Sequence, residues 1–152
     1  MRPCTLIAVL IAATLAGCTL PATVPPVQHY PNRVSYYDLT VSWKVTRSAG
    51  KVAIEGAVAN TSYYYIRDLE LTATLLDAGG KEVGEKTSFI IPSQLAIDET
   101  APFSMTIPVT PGAVAERIRF FYRYRLAGEG PSGFPRFQDF EVPIDGRTYL
   151  LR

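Results

Sequence analysis

Along most of the chain, apolar and polar residues alternate one by one. Leu39, Val41, Trp43 and Val45 are separated by Thr40, Ser42, Lys44 and Thr46. A period of two is that of a strand with one face buried. Ser48-Ala49-Gly50 turns the chain, and Val52, Ile54, Gly56 and Val58 then alternate with Ala53, Glu55 and Ala57. Asn60-Thr61-Ser62 breaks this second strand, and Asn60 is a residue that can tolerate the left-handed conformation at its end. Leu69, Leu71, Ala73 and Leu75 mark a third strand, and Asp77-Ala78-Gly79-Gly80 predicts a hairpin after it. A fourth strand runs from about Glu82 to Ile91, closed by Pro92, and Phe103, Met105 and Ile107 carry a fifth. Thr110-Pro111-Gly112 opens a short connection with one helical turn through Ala115. Ile118, Phe120, Tyr122, Tyr124 and Leu126 line one face of a sixth strand. Gly128 to Pro135 is a loop, and Phe140, Val142 and Ile144 mark a seventh strand.

About seven short strands, closely spaced turn signals and no long helical period predict an all-β chain, an antiparallel β-sandwich. A closed barrel is the alternative, and the strand count favours the sandwich. In that topology the sixth strand lies between the third and the seventh. The loops after strands two, four and six gather at one end.

The first residues follow a different rule. An apolar run from Thr5 to Thr14 stands behind Arg2 and ends in Leu15-Ala16-Gly17-Cys18. It is too short for a membrane span, which takes about 20 apolar residues. A charged start, an apolar middle and small residues at the end are the layout of a secretory signal. The tetrapeptide resembles the lipobox of bacterial lipoproteins. The resemblance implies that Cys18 is acylated and becomes the mature N-terminus. With Thr19 rather than aspartate next, it further implies an outer-membrane protein facing the periplasm. From Thr19 to Ser35, Pro21, Pro25, Pro26 and Pro31 predict a semi-rigid extended spacer. At about 3.1 Å per residue it reaches roughly 50 Å. The expected division is 1–17 signal peptide, 18–35 lipidated cysteine and Pro-rich linker, and 36–152 sandwich.

The order Gly56-Ala57-Val58-Ala59-Asn60, Leu75-Leu76-Asp77-Ala78-Gly79-Gly80 and Ala101-Pro102-Phe103 resembles the FxLYD-type domains of bacterial lipoproteins and, more loosely, the LEA-like domains. Both are immunoglobulin-like sandwiches, mostly without an assigned activity. Ala73-Thr74-Leu75-Leu76-Asp77 stands where Phe-x-Leu-Tyr-Asp is expected. Asp77 is placed to accept hydrogen bonds from amides in its own turn.

Composition narrows the function classes. The chain is 47% hydrophobic and 19% charged, which suits a packed core. Its net charge of +1 falls to zero once Arg2 is removed, so nothing points to nucleic acid. Cys4 leaves with the signal, and the acylated Cys18 then forms no internal disulfide. The one histidine, His29, lies in the spacer, away from any rigid scaffold that a catalytic base needs. A Cys/His metal site is excluded by count, and no cofactor is expected. Acids neighbour each other at Asp98-Glu99 and at Asp139 and Glu141. Carboxylate pairs hydrolyse glycosides only across a cleft at a defined separation; a solvated loop and strand face is the reading taken. Gly128 to Gly133 is glycine-rich but lacks the Lys-Ser/Thr ending of a phosphate loop.

Two surface features remain. Arg117, Arg119, Arg123 and Arg125 share the face of strand six opposite its aromatic side. They are candidates for capturing phosphate or carboxylate groups. The competing and favoured arrangement is a ladder of cross-strand ion pairs with Glu70 on one side and Asp139 and Glu141 on the other. Second, Tyr63-Tyr64-Tyr65 falls among the loops of one end, beside Gln94 to Thr100 and Gly128 to Phe134. Tyrosine gives large contact area at low entropic cost, so Tyr63, Tyr64 and Phe134 are candidate contact residues. The alternation of successive residues favours one or two of the three tyrosines folding back as core or edge packing.

These observations predict an envelope lipoprotein that carries a non-catalytic binding or accessory module. Its expected partners are the membrane, through the anchor, and an envelope protein or polysaccharide. One alternative is a structural or assembly subunit of an envelope or secretion machine, which an exposed apolar edge would favour. The other is an envelope hydrolase, which a buried, perturbed carboxylate pair in a deep pocket would favour.

Overall fold

Two antiparallel sheets face each other in a β-sandwich, as the alternation predicts. The computed structural model describes residues 29–127, 133 and 135–145. Its strands are β1 (Asn32–Tyr36), β2 (Leu39–Ser48), β3 (Lys51–Asn60), β4 (Ile66–Leu76), β5 (Glu82–Phe89), β6 (Gln94–Leu95), β7 (Thr100–Pro108), β8 (Arg117–Leu126) and β9 (Pro135–Pro143). The first sheet has the order β1-β2-β3-β7. The second has the order β5-β4-β8-β9, with β6 also on β4. The sixth predicted strand, β8, does lie between the third, β4, and the seventh, β9.

The count of about seven rises to nine. Asn32 to Ser35, read as spacer, belong to β1, which pairs with β2 from Asn32↔Trp43 to Tyr36↔Leu39. The two-residue β6 extends the edge of β4 through Ile66↔Leu95. The helical turn expected through Ala115 is absent. Pro111-Gly112 forms a plain turn there, with the Ala113 amide on the Thr110 carbonyl at 3.0 Å. Asn60 is not left-handed either; it stays in β3, paired with Leu39. Cys18, the signal and most of the spacer lie outside the described residues.

The inward residues of both sheets form one core. Trp43 sits at its centre against Phe120 and Phe140, with ring centroids 5.0 and 5.8 Å away. Each large apolar side chain so buried contributes about 1.5–3 kcal/mol. Among the described residues, Trp43 Nε1 is the one buried side-chain polar atom without a hydrogen-bond partner. Packing against the two phenylalanines outweighs that loss, which is of order 1–3 kcal/mol. Gly56 faces Phe103 within the core, where an added Cβ would stand 2.5 Å from the ring and 2.3 Å from the Ser42 carbonyl oxygen.

The two lateral edges differ. Along β5 and β7 the sheets close on each other: Gly84 backs onto the Pro108 carbonyl, and Thr110 donates its amide to the Val83 carbonyl at 2.8 Å. Along β1 and β9 the described residues show no comparable packing.

Candidate functional site

One end of the sandwich collects the tyrosines. The β1–β2 turn brings Tyr36 and Tyr37, and the β3–β4 connection brings Tyr63, Tyr64 and Tyr65. The last three are 90%, 52% and 44% exposed, so none folds back into the core. The core half of the expectation from alternation is corrected, because residues 61–65 are not a strand; Tyr64 and Tyr65 are about half covered.

Buried polar groups hold the loop in place. Asn60 is fully buried, and its Nδ2 donates to the carbonyls of Tyr64 (2.8 Å), Leu95 (3.2 Å) and Ala96 (3.0 Å). Its Oδ1 accepts from the Ser62 amide (2.9 Å) and the Ser62 hydroxyl (2.8 Å). Further bonds fix the flanks: the Thr61 amide donates to the Asp38 carbonyl at 2.8 Å, and Ala127 donates to the Tyr65 carbonyl at 2.9 Å. The backbone is therefore pinned on every side while three rings stand in water. Aromatic rings on a pinned backbone lose little further freedom on contact, which is what recognition loops need.

Backbone strain gathers at the same end. The three non-glycine residues with left-handed φ among those described are Tyr37 (49°), Asp68 (52°) and Asp98 (60°). Asp68 lies in the irregularity of β4, and Asp98 hydrogen-bonds the Asn60 carbonyl. Aspartate tolerates this region, whereas for a bulky residue such as Tyr37 it is an outlier.

Beside Tyr37 lies a cleft of about 330 Å³, between the β1–β2 turn and the start of β9. Tyr37, Asp38, Tyr124, Arg136, Phe137 and Gln138 line it. The Tyr124 hydroxyl donates to Asp38 Oδ2 at 2.5 Å. Burial, followed by this bond and the charge of Asp38, pushes the Tyr124 phenol well above its ordinary range; burial does the same to Tyr122. Sequence reasoning missed this cleft: Tyr37, Asp38, Phe137 and Gln138 carry no motif and come from strands about 100 residues apart.

The arginine row is a ladder. Arg119 Nε and Nη2 both reach Glu141 Oε1, at 2.8 and 2.6 Å, and Arg117 takes Oε2 of the same carboxylate at 3.1 Å. Arg123 pairs with Glu70 at 2.7 Å. Arg125 lies in register between Arg67 and Pro135. Phe121, on the same face between Thr72 and Asp139, is exposed, and so are Phe89 and Phe137, which flank the Glu70–Arg123 pair; the alternation does not report this. Phe134 lies outside the described residues.

Asp77 Oδ1 accepts the Lys81 amide at 2.9 Å, as its turn requires. Glu99 caps its own turn through the Ala96 amide at 2.7 Å. Among the described residues no group of acids, histidines or cysteines is placed to hold a metal ion, and no helix is long and apolar enough to cross a membrane.

No known protein family's sequence profile matches this chain, and no curated protein matches it. Solved structures do. The GAE domain of GGA2p from Saccharomyces cerevisiae is similar at 13% identity and a TM-score of 0.49, over 73% of this chain and 93% of that one. The ApaA protein of Bordetella pertussis is similar at 21% and 0.48, over 76% and 99%. A penta-heme cytochrome c552 from Thermochromatium tepidum is similar at 15% and 0.47, over 71% of this chain; the chain spans only 40% of its length. At TM-scores below 0.5 these likenesses carry no argument about function.

Proposed function

We propose that this chain is a lipid-anchored envelope protein whose sandwich is a non-catalytic binding module, with the tyrosine end as its recognition surface. The observation that carries the reading is the loop of Tyr63, Tyr64 and Tyr65: backbone pinned by buried Asn60, side chains exposed. The polarity of β1 supports it. The strand runs from Asn32 toward Tyr36, so the spacer joins roughly 17 Å below the tyrosine end and the anchored domain presents that end outward. Cys18 supplies the anchor and places the module in the envelope, at the outer membrane facing the periplasm.

The test is capture of envelope components by the full chain, beside a melting curve. Tyr64→Ala is expected to weaken capture by about thirtyfold, the scale of a hot-spot aromatic, with stability within about 1 kcal/mol. Unfolding of that variant sinks the reading. Cys18→Ser is expected to abolish labelling by a fatty-acid analogue, and retained label disproves the anchor.

A second reading rests on Phe89, Phe121 and Phe137. All three are exposed on the outer face of the five-stranded sheet, Phe89 and Phe137 on either side of the Glu70–Arg123 pair, and they suit a subunit of an envelope assembly. Capture lost in Phe121→Ser and kept in Tyr64→Ala favours it.

A further inference from the structure

We propose that the cleft between the β1–β2 turn and the start of β9 binds a neutral saccharide ring. The inference deepens the reading above, because the cleft shares Tyr37 with the tyrosine end. Its chemistry is mixed in a specific way. Tyr37 and Phe137, 74% and 63% exposed, offer apolar ring faces. The same lining holds Asp38, an acceptor, Arg136, a donor, and Gln138, which is both.

A pyranose matches that set. Its C–H face is apolar and stacks on an aromatic ring, while its hydroxyls each donate and accept. Charged ligands match it poorly. Asp38 repels a phosphate or a carboxylate, and Arg136 repels an ammonium group. With one charge of each sign, the cleft presents no net field that would select an ion.

The polar groups are also held in place. Asp38 is fixed at two points: its carbonyl accepts the Thr61 amide, and its carboxylate accepts the Tyr124 hydroxyl. A carboxylate has about four acceptor sites, and Tyr124 uses one, so Asp38 keeps capacity for sugar hydroxyls. At about 330 Å³ the cleft lies at the low end of small-molecule sites, about 300–1,000 Å³. One ring with its neighbours running out over the tyrosines fits that size.

The positive φ of Tyr37 acquires a reason in this picture. Glycine would relieve it, yet only an aromatic residue there gives the cleft its wall.

The experiment uses the full chain and four neutral probes: cellotetraose, chitotetraose, maltotetraose and laminaritetraose. Binding is read by saturation-transfer NMR and titration calorimetry at millimolar concentration. At least one is expected to bind. Tyr37→Gly, which removes the ring while suiting the backbone, and Phe137→Ala are each expected to weaken it at least about tenfold, or 1.4 kcal/mol. Neither variant is expected to lose its melting transition. If no probe binds, or if both cleft variants bind as well as wild type, the proposal is overturned. Capture of an extended peptide without any sugar response overturns it too. If Tyr64-dependent capture persists while all four sugars fail, the saccharide assignment falls and the recognition end stands. If sugar binds and capture ignores Tyr64, the cleft stands and the loop reading falls.

Discussion

The two ends of the sandwich solve the same turning problem with different residues. At the end opposite the tyrosines, the left-handed positions are Gly50, Gly80 and Gly112, with φ of 71°, 81° and 80°. Glycine adopts that conformation without steric penalty. At the tyrosine end, Tyr37, Asp68 and Asp98 hold left-handed backbone, beside Gly133. Such conformations cost of order 1–3 kcal/mol for residues that disfavour them, and they persist only where the surroundings over-determine them. The surroundings here are the Asn60 hydrogen bonds and the Thr61 link to Asp38. One end meets its turns with glycine. The other keeps left-handed backbone at residues other than glycine, a cost that the proposed recognition role would explain.

The comparison breaks most easily at Asn60. Asn60→Ala removes the donor of three carbonyls and the acceptor of Ser62 in a fully buried site. Buried groups left unpaired cost about 1–3 kcal/mol each, and relaxation of the loop recovers part of it. The expected loss is about 3 kcal/mol by denaturant titration. A loss under about 1 kcal/mol would show that the loop is not pinned by this residue.

Alkali should loosen the region beneath the same end. Tyr122 and Tyr124 have phenols raised above their ordinary value of 10.0, chiefly by burial. Above that value the unfolded chain releases these protons while the folded one retains them, so the unfolded state binds fewer. Stability is therefore full below pH 10 and falls as pH rises beyond it, by about 1.4 kcal/mol per unit for each tyrosine. Tyr124→Phe should remove one tyrosine's share of that slope. Melting curves at successive pH values measure it, and an unchanged slope in Tyr124→Phe would contradict the assignment.

How much of this was legible before the structure depends on the range of the interactions. The alternation of Leu39 to Val45, Val52 to Val58 and Ile118 to Leu126 is local, and it reported the strands and their buried faces correctly. The Glu70–Arg123 pair was legible because topology alone puts β4 beside β8. β1 was hidden by the prolines before it and by its length of five residues. The exposure of Tyr63 to Tyr65 was not legible, because it depends on Asn60 reaching Leu95 and Ala96, 35 and 36 residues away. The cleft was hidden for the same reason: it exists only once the β1–β2 turn meets β9.

A pair of substitutions sharpens the comparison directly. Gly112→Ala meets no atom within 4 Å, so its effect is backbone strain alone, an expected loss of about 1 kcal/mol. Tyr37→Gly should do the reverse. Relief of the left-handed tyrosine outweighs the added freedom of the unfolded chain, giving a change between zero and about 1 kcal/mol in favour of the fold. Chemical denaturation of both variants tests the pair. If Tyr37→Gly destabilises by more than about 1 kcal/mol, the ring, which contacts Tyr36 at a centroid distance of 4.5 Å, is holding the fold, and the strain has no functional meaning.

The smallest effect is expected on the sheet face, where neither end is involved. Arg123 and Glu70 form an exposed pair at 2.7 Å, with side chains 53% and 27% accessible. Such pairs gain little in high dielectric and lose entropy in holding two long side chains, so they contribute about 0–1 kcal/mol. Arg123→Ala should lower stability by no more than that, and the difference from wild type should shrink as salt rises, because exposed charges are screened over about 10 Å at 0.1 M. It should leave capture at the tyrosine end unchanged. Thermal melts at low and high salt, with a capture assay alongside, make the measurement. If Arg123→Ala alone abolishes capture, the recognition surface is the sheet face that carries Phe121 and Phe137, and the contrast between the two ends loses its functional meaning.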